Sequence, residues 1–125
     1  MVYGVVGVTV WTQDEDSLKS METFYREQLG MGVYSRHEGW VSFRFEDMRF
    51  NIGVHHLIGH APQDPYRTMI NFGTNNIVEL FDRLVYWGVV VIRPPEKEHW
   101  GGWVATFEDI DGNILQLIEQ PLNRQ

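Results

Sequence analysis

Three imidazoles stand close together at His55, His56 and His60, in the run HHLIGH. Imidazoles so near one another can ligate a transition metal, and one alone can move a proton near neutral pH. The spacing crosses what reads as a strand end and a glycine, with no helix to bring His56 and His60 onto one face. Ligation also needs a third partner and supporting hydrogen bonds. We therefore expect incidental surface histidines, with His55 as the one general-base candidate. His37 and His99 fall in expected loops. A second constellation is aromatic and mostly neutral: Trp11, Trp40 and Trp103, with Asn51, Met69, Asn71, Gln116 and one cation, Arg44. Rings can stack on a planar ligand while amides orient it. Arg44 suits a carboxylate or phosphate; equally, it extends to solvent or pairs with a protein carboxylate such as Glu119. No Ser/His/Asp set, Cys/His pair or phosphate-binding glycine loop can be assembled, since Gly101-Gly102 lacks a following Lys and Ser/Thr.

Composition narrows the field. The chain has 125 residues, enough for one domain with a real core. Its formal net charge of −7 argues against a nucleic-acid partner, and mildly favours a neutral or cationic one. There is no cysteine, which rules out disulfides and thiolate chemistry and is compatible with a cytoplasmic location. No apolar run approaches the ~18 residues of a membrane span. The opening MVYGVVGVTVW has no basic flank or cleavage signal, and reads as a first strand.

The elements that must position these residues follow from periodicity. Val6, Val8 and Val10 alternate with Gly7, Thr9 and Trp11. Asp14 and Asp16 offer N-caps to a helix whose stripe is Leu18, Met21, Tyr25 and Leu29, stopped by Gly30. Val33-Tyr34 starts a short strand. Two strands then alternate cleanly around a Glu46-Asp47 turn: Val41, Phe43 and Phe45 against Trp40, Ser42 and Arg44, then Phe50, Ile52 and Val54 against Asn51, Gly53 and His55. After a Gly- and Pro-bearing linker the order repeats. Ile70 and Phe72 oppose Met69, Asn71 and Gly73. Asn76 and Glu79 form a capping box for a helix with Ile77, Leu80, Phe81, Leu84 and Trp87 on one stripe, ended by Gly88. Val89 to Ile92 is a strand closed by Pro94-Pro95. Trp103 to Glu119 is a hairpin turning at Asp111-Gly112-Asn113.

Val41-Ser-Phe-Arg-Phe-Glu-Asp corresponds to Val104-Ala-Thr-Phe-Glu-Asp with one residue gapped, which matches Trp40 with Trp103. A repeat of this kind implies one supersecondary unit used twice. We expect an α+β fold of two βαβββ modules in a single domain, 1–125. Module one spans about 3–56, the linker about 57–66 and module two about 67–120. The helices cover the aliphatic faces. Parity then collects Gly7, Thr9, Trp11, Trp40, Ser42, Arg44, Asn51, Gly53, His55, Met69, Asn71, Trp103 and Gln116 on the opposite face, with Arg44 its only charge.

Asp109-Ile110-Asp111-Gly112-Asn113 followed by ILQLIE resembles the closing hairpin of the vicinal oxygen chelate superfamily, which holds glyoxalase I, the bleomycin-resistance proteins and the extradiol dioxygenases. Ile110 stands where that family usually has Pro. Phe24-Tyr25-Arg-Glu-Gln-Leu29-Gly30 resembles its first helix, and the likeness covers nearly the whole chain. It implies paired βαβββ modules making a curved, cup-like mixed sheet with helices on the outer face, and commonly a homodimer. It also implies four inward metal-ligand positions, which here hold Gly7, Asn51, Met69 and Gln116. None is a carboxylate or imidazole, so we expect no metal and no cofactor. The favoured function is a metal-free, bleomycin-resistance-like protein that holds an aromatic or heterocyclic small molecule. The alternatives are a glyoxalase- or dioxygenase-like lyase or oxygenase with a non-standard or absent metal site, and an interaction module.

Overall fold

Eight strands and two α-helices, in the order β-α-β-β-β used twice, make up the computed structural model, which describes Met1 and residues 3–121. Val2, in the expected first strand, and residues 122–125 lie outside the described residues. The first compact unit ends at His60 and the second begins at Ala61. The fold is α+β, with the two expected βαβββ modules.

The first unit holds β1 (Gly7–Thr12), α1 (Glu15–Thr23), β2 (Val33–His37), β3 (Trp40–Phe45) and β4 (Met48–Val54). Its sheet runs β1-β4-β3-β2, with β1 parallel to β4 and the other pairs antiparallel. Asp14 caps α1, accepting from the Ser17 N–H at 2.8 Å. The helix does not end as a plain α-helix. Phe24–Gln28 is a π turn, closed by the Leu29 N–H donating to the Phe24 carbonyl at 3.1 Å. The added residue rotates the stripe, so that Phe24 and Tyr25, adjacent in sequence, are both buried. Tyr25 packs its ring 4.9 Å from that of Phe50 and 6.3 Å from that of Phe43. Val41, Phe43, Phe50 and Ile52 are buried on this face, as expected. Val8, Val10 and Val54 are half-buried, and two members of the expected aliphatic face are exposed. Val6 lies before β1 and is exposed, and Phe45, at the hairpin end, is 41% exposed.

The second unit repeats the plan: β5 (Met69–Gly73), α2 (Ile77–Tyr86), β6 (Val90–Lys97), β7 (Trp103–Glu108) and β8 (Ile114–Glu119), in the order β5-β8-β7-β6. The expected capping box forms in half. Asn76 accepts from the Glu79 N–H at 3.2 Å, but the Glu79 carboxylate accepts from the Asn76 side-chain amide at 2.8 Å, while the Asn76 backbone N–H donates to Thr74 Oγ1 at 3.2 Å. Ile77, Phe81 and Leu84 are buried, while Trp87, expected on the stripe, is 56% exposed just beyond the last helical turn. Pro94-Pro95 does not close β6. The strand continues to Lys97 through a register shift between Arg93 and Glu96. It is an edge strand, where a missing N–H costs no ladder bond. Between β7 and β8, Asp109 accepts from the N–H groups of Asp111 and Asn113 at 2.9 Å each, and Gly112 takes φ +90°.

Candidate functional site

Each sheet has a second face, opposite its helix. In the first unit that face carries three rows set by the register. The row at one end is Trp11 on β1, Gly53 on β4 and Trp40 on β3. A Cβ added at Gly53 would lie 2.6 Å from the Trp11 ring and 2.8 Å from the Trp40 ring. Both indoles thus lean over a bare stretch of backbone, and only glycine leaves them room. Their centroids are 5.8 Å apart at 57°. Trp11 remains 43% exposed. The His55 ring meets Trp11 edge-on at 5.3 Å, and His56 stacks on His55 at 5.0 Å. The Leu57 N–H donates to His55 Nδ1 at 3.1 Å. That acceptor nitrogen is committed, so the uncharged ring carries its proton on Nε2 and presents a donor.

The middle row is polar. Ser42 Oγ donates to the Asn51 carboxamide oxygen at 2.7 Å, and Asn51 Nδ2 donates to Thr9 Oγ1 at 3.3 Å. The chain of bonds fixes the Asn51 amide across three strands. The last row is Gly7, Arg49 and Arg44. Arg44 is therefore not the only charge on the face: Arg49 stands directly opposite it. Tyr34 joins them, its ring 4.5 Å from the Arg49 guanidinium carbon and 5.5 Å from that of Arg44. Alternation with Phe50 and Ile52 already put Arg49 on this side, so its signal was in the sequence. That of Tyr34 was not, because it sits at a bulge between Val33 and Ser35.

The second unit presents Asn71, Gln116 and Thr106 in a matching polar row, with Gln116 Nε2 donating to Thr106 Oγ1 at 3.2 Å. Met69, partly exposed, lies opposite Ile114. Trp103 is not on this face. It pairs with Glu119, two residues from the Ala105–Leu117 pair, and so shares the helix-covered side. Aligning the hydrogen-bonded pairs Ser42–Asn51 and Thr106–Gln116 matches Trp40 with Val104. On that alignment β3 and β7 match without a gap, one residue out of step with the expected repeat. Further charges also occupy this face, for Glu108 pairs with Ile114 and Arg93 with Thr106. Glu119 is engaged at α2, where its carboxylate accepts from the Ile77 N–H at 2.8 Å.

The family model of the Glyoxalase/Bleomycin resistance protein/Dioxygenase superfamily matches residues 15–117. The chain belongs to that superfamily. A bleomycin resistance protein of Klebsiella pneumoniae is 27% identical over 112 residues, covering 82% of this chain and 84% of that protein. Among solved structures, a glyoxalase-related enzyme from Fulvimarina pelagi superposes with a TM-score of 0.76 at 18% identity, covering 95% of this chain and 89% of the other. A lactoylglutathione lyase from Agrobacterium tumefaciens superposes with a TM-score of 0.71 at 14% identity and covers 95% of each chain. At these identities the two structures speak for the fold alone.

A superfamily metal centre can be tested against the residues present. Gly7 has no side chain, and Met69 offers only a thioether. Asn51 and Gln116 are neutral amides already bonded to hydroxyls, Asn51 accepting from Ser42 and donating to Thr9, and Gln116 donating to Thr106. This donor set does not fit a hard divalent cation. Among the described residues, no three His, Cys, Asp or Glu side chains converge as a metal site would require.

Proposed function

We propose that this superfamily member is a small-molecule binding protein of the bleomycin-resistance kind, holding a planar aromatic or heterocyclic ligand without a catalytic metal. The observation that carries this is the pair of indoles over Gly53. A half-exposed Trp11 beside Trp40, with no Cβ between them, is a surface on which a flat ring can stack. The Asn51 amide, held by its neighbours, would orient the ligand, with His55 Nε2 as a donor near the aromatic end. Met69, Asn71 and Gln116 are proposed as ligand contacts on the second unit's own face. Trp103, on the helix-covered side, is left out of the site. The 27% identity with a bleomycin resistance protein favours binding over turnover.

The test is quenching of tryptophan fluorescence by planar aromatic compounds. Saturable quenching that is lost in Trp11→Leu and in Trp40→Leu is expected; quenching indifferent to both replacements refutes the site. Elemental analysis after gentle purification is expected to find no stoichiometric divalent ion. One feature favours an enzyme of lyase or oxygenase type instead: the His55 ring is fixed by Leu57 and Trp11, as a catalytic group would be. A turnover abolished by His55→Ala would decide for it. The proposal further includes one folding domain, a cytoplasmic location and a homodimer, resting on size, the absence of cysteine and the family likeness. Among the described residues, no helix is long and apolar enough to cross a membrane. Sedimentation at the mass of two chains is expected, and a monomer at micromolar concentration would remove the dimer.

A further inference from the structure

Two arginines face each other across β3 and β4 in a protein of net charge −7, and neither takes part in an ion pair among the described residues. Like charges directly opposite on a sheet are destabilising. Carboxylates are plentiful in this chain, yet here both guanidiniums converge on one neutral group. Arg44 Nε donates to the Glu46 carbonyl oxygen at 3.3 Å, and Arg49 donates to the same oxygen at 3.4 Å. Glu46 turns that carbonyl toward them from a left-handed backbone, φ +49°, which a non-glycine residue adopts at a cost. The Tyr34 ring supports both cations from the side. The cluster is therefore held together, positively charged and short of a counterion. It also shares its face with the tryptophans. Along β4 that face runs Arg49, Asn51, Gly53, so the arginine row lies about 13 Å from the indole row.

We infer that the ligand of the first unit is bipolar: a flat ring at Trp11 and Trp40, and an oxyanion, carboxylate or phosphate, held between Arg44 and Arg49 about 13 Å away. The remaining guanidinium N–H groups supply charge-assisted hydrogen bonds to the oxyanion. Asn51 lies under the linker that joins the two ends. This inference rests on the aromatic site for the ring end, and adds the charge and the length of the ligand. It reverses what the acidic net charge alone suggests, because the local cations outweigh a distant, screened field.

The probes are ω-phenylalkanoates of graded chain length, each compared with its own primary amide and with the matching phenylalkyl phosphate, by calorimetry on the full chain. We expect an oxyanion of suitable length to bind about tenfold tighter than the amide. That ratio should fall toward one in Arg44→Gln and in Arg49→Gln, and should shrink with added salt for the oxyanion only. Either oxyanion beating the amide in this way supports the inference. Equal affinity of acid, phosphate and amide overturns it, as does a ratio untouched by both substitutions. The side-chain Nε–H resonances of Arg44 and Arg49 give a second measurement, and their failure to move at saturating oxyanion also overturns it. The two failures are separable. Loss of the acid-to-amide ratio with tryptophan quenching intact removes the anion site alone, whereas binding indifferent to Trp11→Leu and Trp40→Leu removes the aromatic site.

Discussion

The two units share a topology but not a working face. Matched by their hydrogen-bonded pairs, the rows of the first unit read Trp11-Gly53-Trp40, Thr9-Asn51-Ser42 and Gly7-Arg49-Arg44. Those of the second read Gly73-Ile118-Val104, Asn71-Gln116-Thr106 and Met69-Ile114-Glu108. The middle rows keep one pattern, with an amide at the centre and a hydroxyl beside it. The outer rows invert. Large-small-large becomes small-large-medium, and a pair of cations becomes an aliphatic residue with a carboxylate. Val104 and Ile114 are buried, whereas Trp11 and Arg44 are exposed. The helix-covered faces show no such divergence. The difference teaches that the repeat preserves the helix-covered packing and varies the opposite face, so the proposed ligand site belongs to the first unit, where that face keeps exposed aromatic and cationic groups.

If the covered faces are equivalent, they should fail equally. Phe50→Ala in the first unit and Phe107→Ala in the second each remove a fully buried ring. Each is expected to cost about 3–5 kcal/mol by denaturant unfolding. A cost under about 1 kcal/mol for either would mean that its unit contributes little to the cooperative core. Phe45→Ala, on the same strand parity but exposed at the hairpin end, should stay within about 0.5 kcal/mol.

The working faces should fail unequally. Gly53→Ala drives a methyl into two indole rings, and is expected to cost about 1–3 kcal/mol and to abolish aromatic quenching. Gly73→Ala, in the row that matches, meets nothing within 4 Å. It is expected to be neutral, or to stabilise by up to about 1 kcal/mol through the unfolded chain. Similar losses from both would erase the contrast between the two rows.

Much of this was legible in the sequence because it is local. Asp14, and Asn76 with Glu79, announce helix starts; Gly30, Gly88 and Gly112 sit where the chain takes positive φ. Alternation along β1, β3 and β4 is enough to place Trp11, Trp40, Asn51 and Arg49 on one side. Register between strands is not local. Trp103 falls on the other face because β3 and β7 match one residue out of step with the sequence repeat, which only the pairing of Thr106 with Gln116 reveals. A bulge at Tyr34 and a π turn at Phe24 each add one residue, and neither leaves a composition signal. Pro94-Pro95 misled because edge position, which makes proline tolerable, is a property of the sheet.

The hairpin turns sharpen the same comparison. In the second unit the buried Asp109 carboxylate accepts from two backbone N–H groups and from the Asn113 amide. Asp109→Ala leaves those donors unpaired, and is expected to cost about 1–3 kcal/mol. In the first unit the turn is held at Glu46 by a left-handed residue whose carbonyl, not its side chain, accepts from Arg44 and Arg49. Glu46→Gly should therefore stabilise, by up to about 1 kcal/mol, in thermal unfolding at pH 7. Destabilisation there would show that the glutamate side chain, not the carbonyl, matters to the arginine pair.

The smallest expected effect concerns how each unit ties down its edge strand. In the first, Arg36 on β2 grips Glu22 of α1 with two bonds, at 2.6 and 2.9 Å, and Arg26 adds a third at 2.7 Å. Helix and edge strand are thereby clipped together. In the second, Arg93 pairs with Glu96 and Glu98, so that the clip closes within the edge strand and its following loop. Only the first clip joins separate elements, so only it should register in global stability. The Arg36 guanidinium, through its hydrogen bonds and then its charge, holds the Glu22 carboxyl below its ordinary value. A carboxyl with a depressed folded pKa stabilises fully above its unfolded value of about 4.3, and loses that contribution as pH falls through the folded one. Solvent screening limits it to at most about 1 kcal/mol. Urea midpoints of wild type and Glu22→Gln should then differ at pH 7 and converge toward pH 3. A gap that persists unchanged in acid would assign the loss to packing of the Glu22 stem instead of its charge.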